Sequence, residues 1–193
     1  MAEALVLATR NAHKLAEVGR MLVAYGVSVE GLPPEVVLPP EDGETFIANA
    51  LPKARAAARA LGRPVIADDS GIEADAIGGL PGVRSARYAG ERASDAENLA
   101  KLLREAPEGS GLRYVCALAF VDPVSGVEQI FEGDCFGRLT GRPRGEGGFG
   151  YDPAFVPDAL RDGRTMAELS DTEKDAISHR GAAITAFAQW WTR

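Results

Sequence analysis

Cysteine and histidine are scarce, two of each in 193 residues. Cys116 and Cys135 fall in apolar, strand-like stretches without CxxC spacing, so both read as reduced structural thiols, and a zinc cage is not expected. No apolar run approaches membrane-spanning length and the N-terminus shows no signal-peptide pattern. The expectation is a soluble, cytoplasmic protein with no membrane partner. Positive charge is in deficit: 21 Lys and Arg against 28 Asp and Glu give a net charge of −7, which argues against a nucleic-acid partner. A local basic pocket is still allowed. Internal repeats, low-complexity tracts and long linkers are missing too, so residues 1–193 suit a single domain, if a lobed one.

What is present is ordinary globular material, 46% hydrophobic and 25% charged, enough to build a core. The stretch around which the chain is organised is 64–88. Val65-Ile66-Ala67 reads as a short buried strand that runs into Asp68 and Asp69, and Ser70-Gly71 then predict an immediate turn. Adjacent acids at the end of a buried strand repel each other and are costly to bury. One reading is a solvated turn. The other is a site for a hard cation such as Mg²⁺, which takes carboxylate oxygens and brings phosphate with it.

Other stretches bear on that choice. Ala4 to Ala8 is apolar and of strand length, and is followed by Thr9-Arg10-Asn11-Ala12-His13-Lys14 and then by Leu15, Val18, Met21 and Leu22 at helical spacing. A polar loop between strand and helix aims amides and a positive dipole end at a phosphate, although Thr9 or Asn11 can equally cap the helix. It is not a P-loop, because the glycines are absent. Val27 to Glu30 predicts an edge strand, and Glu41 lies in a Pro- and acid-rich loop. Thr45 to Leu61 predicts a helix capped by Thr45, stopped by Gly62 and kinked at Pro52, with Lys53, Arg55 and Arg59 on wetter faces unless Lys53 reaches into a cleft. Ile72 to Ile77 alternates like a separate strand. Ser94 and Glu97 form a capping box for a helix to about Glu105, and Asp122 to Gly126 joins two strands as a hairpin. Phe149-Gly150-Tyr151-Asp152 suits a flat ligand stacked on a ring, unless the aromatics are core anchors. Thr165 and Glu168 form a second capping box; Asp171 to Ser178 predicts a short helix, and Ala182 to Trp191 a final one after His179-Arg180-Gly181.

These motifs stand in a familiar order. T-x-N-x-x-K at 9–14, E-x-G-x-T-F-x-x-N-A at 41–50, Lys53, A-D-D-S-G at 67–71, L-P-G-V-x-S-A-R-Y at 80–88, G-G-F-G-Y-D-P at 147–153 and E-K-x-x-I-S-H-R at 173–180 run colinearly over almost the whole chain. Together they resemble the inosine triphosphate pyrophosphatase family, whose members remove non-canonical purine nucleoside triphosphates. Arg10 departs from the small residue often found there, and Pro52 is unusual beside Lys53.

The resemblance implies an α/β fold with a long mixed sheet flanked by helices, in two lobes with a nucleotide cleft between them, and a homodimer. It implies Mg²⁺-dependent hydrolysis of ITP, dITP or XTP between the α- and β-phosphates. By position, Asp69 would be general base and metal ligand, and Glu41 a second ligand. Thr9, Arg10, Asn11, Ala12, His13, Lys14, Lys53 and Ser70 would hold phosphates. Phe149, Gly150, Tyr151, Asp152, Lys174, His179 and Arg180 would hold base and sugar, with Arg180 and His179 offering donors to the 6-oxygen. A nucleotide sensor without turnover would not need the paired acids, and a simple phosphatase would not need the FGYD and HR elements.

Overall fold

The computed structural model describes residues 4–193. Six strands hydrogen-bond in the order β2-β1-β3-β4-β5-β6, and five α-helices accompany them. The strands are β1 (Leu5–Leu7), β2 (Val29–Gly31), β3 (Val65–Ala74), β4 (Gly111–Val121), β5 (Glu128–Leu139) and β6 (Phe155–Pro157). β1 pairs parallel with both β2 and β3, while β5 and β6 are antiparallel, so the sheet is mixed and the fold is α/β. The helices are α1 (Ala12–Val23), α2 (Phe46–Leu61), α3 (Asp95–Glu105), α4 (Asp171–Ile177) and α5 (His179–Trp191).

The described chain forms two compact units: up to Asp69 with 116–133 and 180–193, and 70–115 with 134–179. In the first, β1 and β3 bury Leu5, Leu7 and Ile66 with Val18 and Leu22 of α1, Leu118 and Phe120 of β4, and Ile184 and Phe187 of α5. In the second, Ile72, Leu102, Tyr114, Phe155 and Met166 centre the core. Cys116 and Cys135 are buried free thiols, and burial pushes each up to about 12, consistent with structural roles.

Strong local signals gave the elements expected of them. Thr45 accepts from the Ala48 amide at the start of α2, and Gly62 ends that helix with φ +66, a left-handed conformation that glycine takes without cost. Ser94 and Glu97 close the capping box of α3. The Thr165–Glu168 box is also present, but caps a single 3₁₀ turn.

One local expectation is overturned. Asp68-Asp69-Ser70-Gly71 is not a turn: β3 continues to Ala74 and takes in the first half of the segment expected as a second strand, while Asp75–Ile77 forms a 3₁₀ turn. α2 runs as one continuous helix from Phe46 to Leu61 with Pro52 inside it. Of the two positions open to Lys53, the structure takes the inward one: it is only 5% exposed and reaches Glu41 and the Asp68 carbonyl.

The connection from β1 runs to β2 on one side, and β2 returns through α2 to β3 on the other. The carboxyl end of β1 is therefore a point where strand order reverses, the usual place for a ligand in an open α/β sheet. Register sets what meets there: Leu7 lies opposite Ile66, and the Ala8 amide donates to the Ile66 carbonyl at 2.7 Å. β1 ends at Leu7 while β3 continues, so Asp68 and Asp69 emerge beside the Thr9–Lys14 loop.

Candidate active site

Neighbouring residues of a strand face opposite sides of the sheet. Asp68 and Asp69 accordingly have different surroundings, although both are buried, at 1% and 6% exposure. Asp68 Oδ2 lies 2.8 Å from Lys14 Nζ and 3.4 Å from Arg180 Nη2. Arg180 also holds Glu17 Oε2 at 2.5 Å. Burial works to raise the Asp68 carboxyl, but Lys14, Arg180 and Lys53 outweigh it and hold the group well below its ordinary range. Asp68 is a fixed anion.

Asp69 faces α2. Its Oδ2 accepts from Asn49 Nδ2 at 3.0 Å and its Oδ1 lies 3.9 Å from Lys53 Nζ. Lys53 also donates to the Asp68 carbonyl at 2.7 Å and to Glu41 Oε1. Burial raises the Asp69 carboxyl and the Glu41 charge adds to it, so the net shift is upward despite Lys53, Lys14 and the Asn49 hydrogen bond. Lys53 is pulled down by burial, but Asp68, Asp69 and Glu41 more than reverse this and keep it protonated. Adjacent carboxylates driven in opposite directions give the divergence from which acid–base roles are read.

The Thr9–Lys14 loop behaves first as a cap. Asn11 Oδ1 accepts from the His13 amide at 2.9 Å and the Lys14 amide at 3.2 Å, and Thr9 Oγ1 accepts from the Asn11 amide at 3.1 Å. Ala12 and His13 lie exposed at the helix start, and Lys14 turns its ammonium inward to Asp68. Arg10 differs from its expected role. Its guanidinium donates to the carbonyls of Leu32, Pro33, Pro34 and Val36, because a planar fork of donors finds a ring of acceptors there.

The second unit holds the aromatic cluster. Asp152, 3% exposed, accepts from Tyr114 Oη at 3.0 Å, the Phe149 amide at 3.0 Å and Lys174 Nζ at 2.7 Å, so its carboxylate organises the loop. Gly148 has φ +68, and a Cβ there would fall 2.1 Å from Asp152 Oδ2, which restricts the position to glycine. The Gly150 amide donates to Asp95 Oδ2 at 2.8 Å. Tyr151 is buried and donates from its hydroxyl to the Ser85 carbonyl at 2.7 Å, the behaviour of a core anchor. Phe149 is half-buried, with Lys174 Nζ 4.9 Å from its ring centroid. His179, the first residue of α5, stacks on Tyr114 with centroids 4.6 Å apart and planes 6° from parallel. Ser70 is half-buried on β3.

The expected set thus separates by environment. Lys14, Glu41, Lys53, Asp69 and Arg180 gather in the first unit, whereas Phe149, Asp152, Lys174 and His179 gather in the second. Arg180 was expected to offer donors to a base. Its Nη atoms instead engage Glu17 and Asp68, since a buried guanidinium needs carboxylates to compensate it. Reading the sequence missed Glu17 and Asn49. Each sits one helical turn from a lysine already singled out, Glu17 after Lys14 on α1 and Asn49 before Lys53 on α2, and Asn49 also stands in the 41–50 motif without having been given a role.

Among the described residues no three His, Cys, Asp or Glu side chains cluster as a preformed metal cage. Glu41 and Asp69 on one lysine remain a pair of hard oxygen donors, and Mg²⁺ binds through one or two carboxylates together with substrate phosphates. The charges agree. Glu17, Glu41, Asp68 and Asp69 are four carboxylates against the cations Lys14, Lys53 and Arg180, a net charge of −1 that a divalent ion would reverse.

Comparison with known proteins agrees along the whole length. A dITP/XTP pyrophosphatase from Geobacillus kaustophilus is 48% identical, covering 97% of this chain and 93% of its own. One from Nocardia farcinica is 50% identical, covering 95% and 92%. The solved structure of a HAM1 protein from Coxiella burnetii superposes with TM-score 0.87 at 37% identity over 98% of both chains, and the Staphylococcus aureus Ham1 protein with 0.84 at 37% over the same shares. The family model of the Ham1 family matches residues 5–190, and the chain belongs to that family.

Proposed function

We propose that this protein hydrolyses non-canonical purine nucleoside triphosphates, dITP, ITP and XTP, to the monophosphate and pyrophosphate, removing deaminated purines before a polymerase can use them. The observation that carries the reading is the divergent pair Asp68 and Asp69, one held as an anion by Lys14 and Arg180, the other raised by burial beside Lys53 and Glu41. The curated relatives bear the name dITP/XTP pyrophosphatase, which favours the same substrates.

Phosphoryl chemistry asks a protein mainly for positioning and charge neutralisation. Lys14 and Lys53 supply cationic donors, and the start of α1 adds its dipole. Asp69 takes the proton of the attacking water, a role for a carboxylate within reach of that water. Glu41 and Asp69 would hold Mg²⁺, which supplies charge neutralisation on the phosphate oxygens. The face of Phe149 offers a stacking surface for the purine, and Lys174 a donor. Inosine and xanthine bases carry an oxygen acceptor at position 6 where adenine carries an amino donor, so a pocket of donors prefers the oxo bases by about 1–3 kcal/mol per good pair, by analogy with base readout in DNA. The same reading takes both units as one two-lobed catalytic domain, acting as a homodimer in the cytoplasm.

The test is a substrate panel of dITP, ITP, XTP, GTP and ATP with Mg²⁺. The 6-oxo substrates dITP, ITP and XTP should give kcat/KM values about 5–150-fold above that of ATP, since each 1.4 kcal/mol is about tenfold. Equal rates for ATP and dITP would contradict the base assignment.

A further inference from the structure

The segment 32–43, between β2 and α2, contains no helix or strand, yet it carries Glu41. Prolines at 33, 34, 39 and 40 remove backbone donors, so its carbonyls must find partners elsewhere. Arg10 provides them. Nη1 donates to the Leu32 carbonyl at 3.0 Å, and Nη2 lies 3.1, 3.2 and 2.7 Å from the carbonyls of Pro33, Pro34 and Val36. The far end is fixed separately, with the Gly43 amide donating to Asn49 Oδ1 at 2.8 Å while Asn49 holds Asp69. A Cβ on Gly43 would lie 2.7 Å from that same oxygen, so the chain is seated closely at this point. Between the two anchors stand Val37-Leu38-Pro39-Pro40-Glu41-Asp42, and a diproline stiffens the connection from the Arg10 clamp to the acid.

We propose that Arg10 is a positioning residue for Glu41: by gripping the carbonyls of 32–36 it fixes the loop that presents this carboxylate beside Lys53 and Asp69. This assigns Arg10 to the scaffold of the acid pair in place of the phosphate contact expected for it. It ties the loop after β1 to the acid-bearing loop, both of which the reaction requires. The inference rests on the function proposed above only in giving Glu41 a metal to hold.

The experiment compares wild type, Arg10→Met, Arg10→Lys, Glu41→Gln and the Arg10→Met/Glu41→Gln double variant. Hydrogen exchange on the metal-free proteins reads the loop without turnover. Arg10→Met should speed exchange of the Val36 and Gly43 amides, which donate to the Pro33 carbonyl and to Asn49 Oδ1, about tenfold, the factor expected from losing roughly one net hydrogen bond. Arg10→Lys should fall between, because a single ammonium cannot span four carbonyls. With dITP, Arg10→Met should raise the Mg²⁺ concentration for half-maximal rate by a similar factor, with kcat at saturating Mg²⁺ within about twofold of wild type. In the Glu41→Gln background the same substitution should add nothing. Unchanged exchange in Arg10→Met would overturn the clamp. A full additional loss in the double variant would mean that Arg10 acts on the substrate and not through Glu41. If wild type released no pyrophosphate, the functional reading would fail, and the exchange comparison would still decide the clamp.

Discussion

Asp68 and Asp69 are chemically identical neighbours, and the structure assigns them opposite consequences on neutralisation. In Asp68→Asn, Lys14 loses the carboxylate 2.8 Å away and Arg180 loses its contact with Asp68 while keeping Glu17. Breaking a buried pair typically costs about 3–5 kcal/mol, because it strands a buried charge. The retained Glu17 contact and the 14% exposure of the Lys14 side chain put the expectation at the lower end, about 3 kcal/mol. For a chain of this size that corresponds to a fall in Tm of about 6–12 °C. Asp69→Asn should behave differently. Its folded-state pKa is raised above the ordinary 3.8, so at neutral pH the fold disfavours its charged form, and a neutral amide relieves a penalty. Stability should stay within about 1 kcal/mol of wild type while turnover falls on the order of 10²–10⁴-fold, the range for loss of a general base. Urea denaturation followed by circular dichroism supplies one axis and pyrophosphate release the other. An Asp68→Asn protein as stable as wild type, or a folded Asp69→Asn enzyme with a near-normal rate, would refute the division of labour.

Arg180→Ala should lower stability and reduce kcat/KM for dITP and ATP by similar factors, since its guanidinium serves Asp68 and Glu17; a strong narrowing of the dITP-to-ATP ratio would return Arg180 to base selection. Lys174→Met should instead narrow that ratio by about 5–150-fold, the equivalent of about 1–3 kcal/mol of lost donor discrimination, and an unchanged ratio would remove Lys174 from the specificity account. Gly148→Ala places a Cβ 2.1 Å from Asp152 Oδ2 at a left-handed φ, so KM for dITP should rise with little change in the Mg²⁺ requirement; unchanged KM would show that the Asp152 cluster does not bind the base.

Local signals were read well from sequence because they are complete within a few residues. The Ser94–Glu97 box, the Thr45 cap and the Gly62 stop each satisfy helix-end groups with nearby atoms. The A-D-D-S-G stretch was misread as a turn for the same reason in reverse. Turn preference is judged locally, but the partners that make two buried aspartates tolerable in a strand come from α1, α2 and α5. Helix pattern left Lys53 between a wet face and a cleft, and the choice becomes legible only once Glu41 and Asp69 are seen to compensate its burial. Arg10 looked like a phosphate ligand because it stands in a phosphate-type loop, and nothing in its neighbours announces acceptors at 32–36. Tyr151 and Phe149 look alike in sequence, yet one is core and one half-exposed. The motif resemblance supplied the family that the comparisons bear out, but assigned Arg180 to the base when its side chain serves the acids.

The most direct test of the central claim is product identity. Purified protein, dITP and Mg²⁺ are incubated, and pyrophosphate, orthophosphate and nucleotide products are quantified separately. The account predicts one pyrophosphate per monophosphate formed, no diphosphate, and loss of the reaction when EDTA removes the metal. Release of orthophosphate with accumulation of dIDP would contradict it.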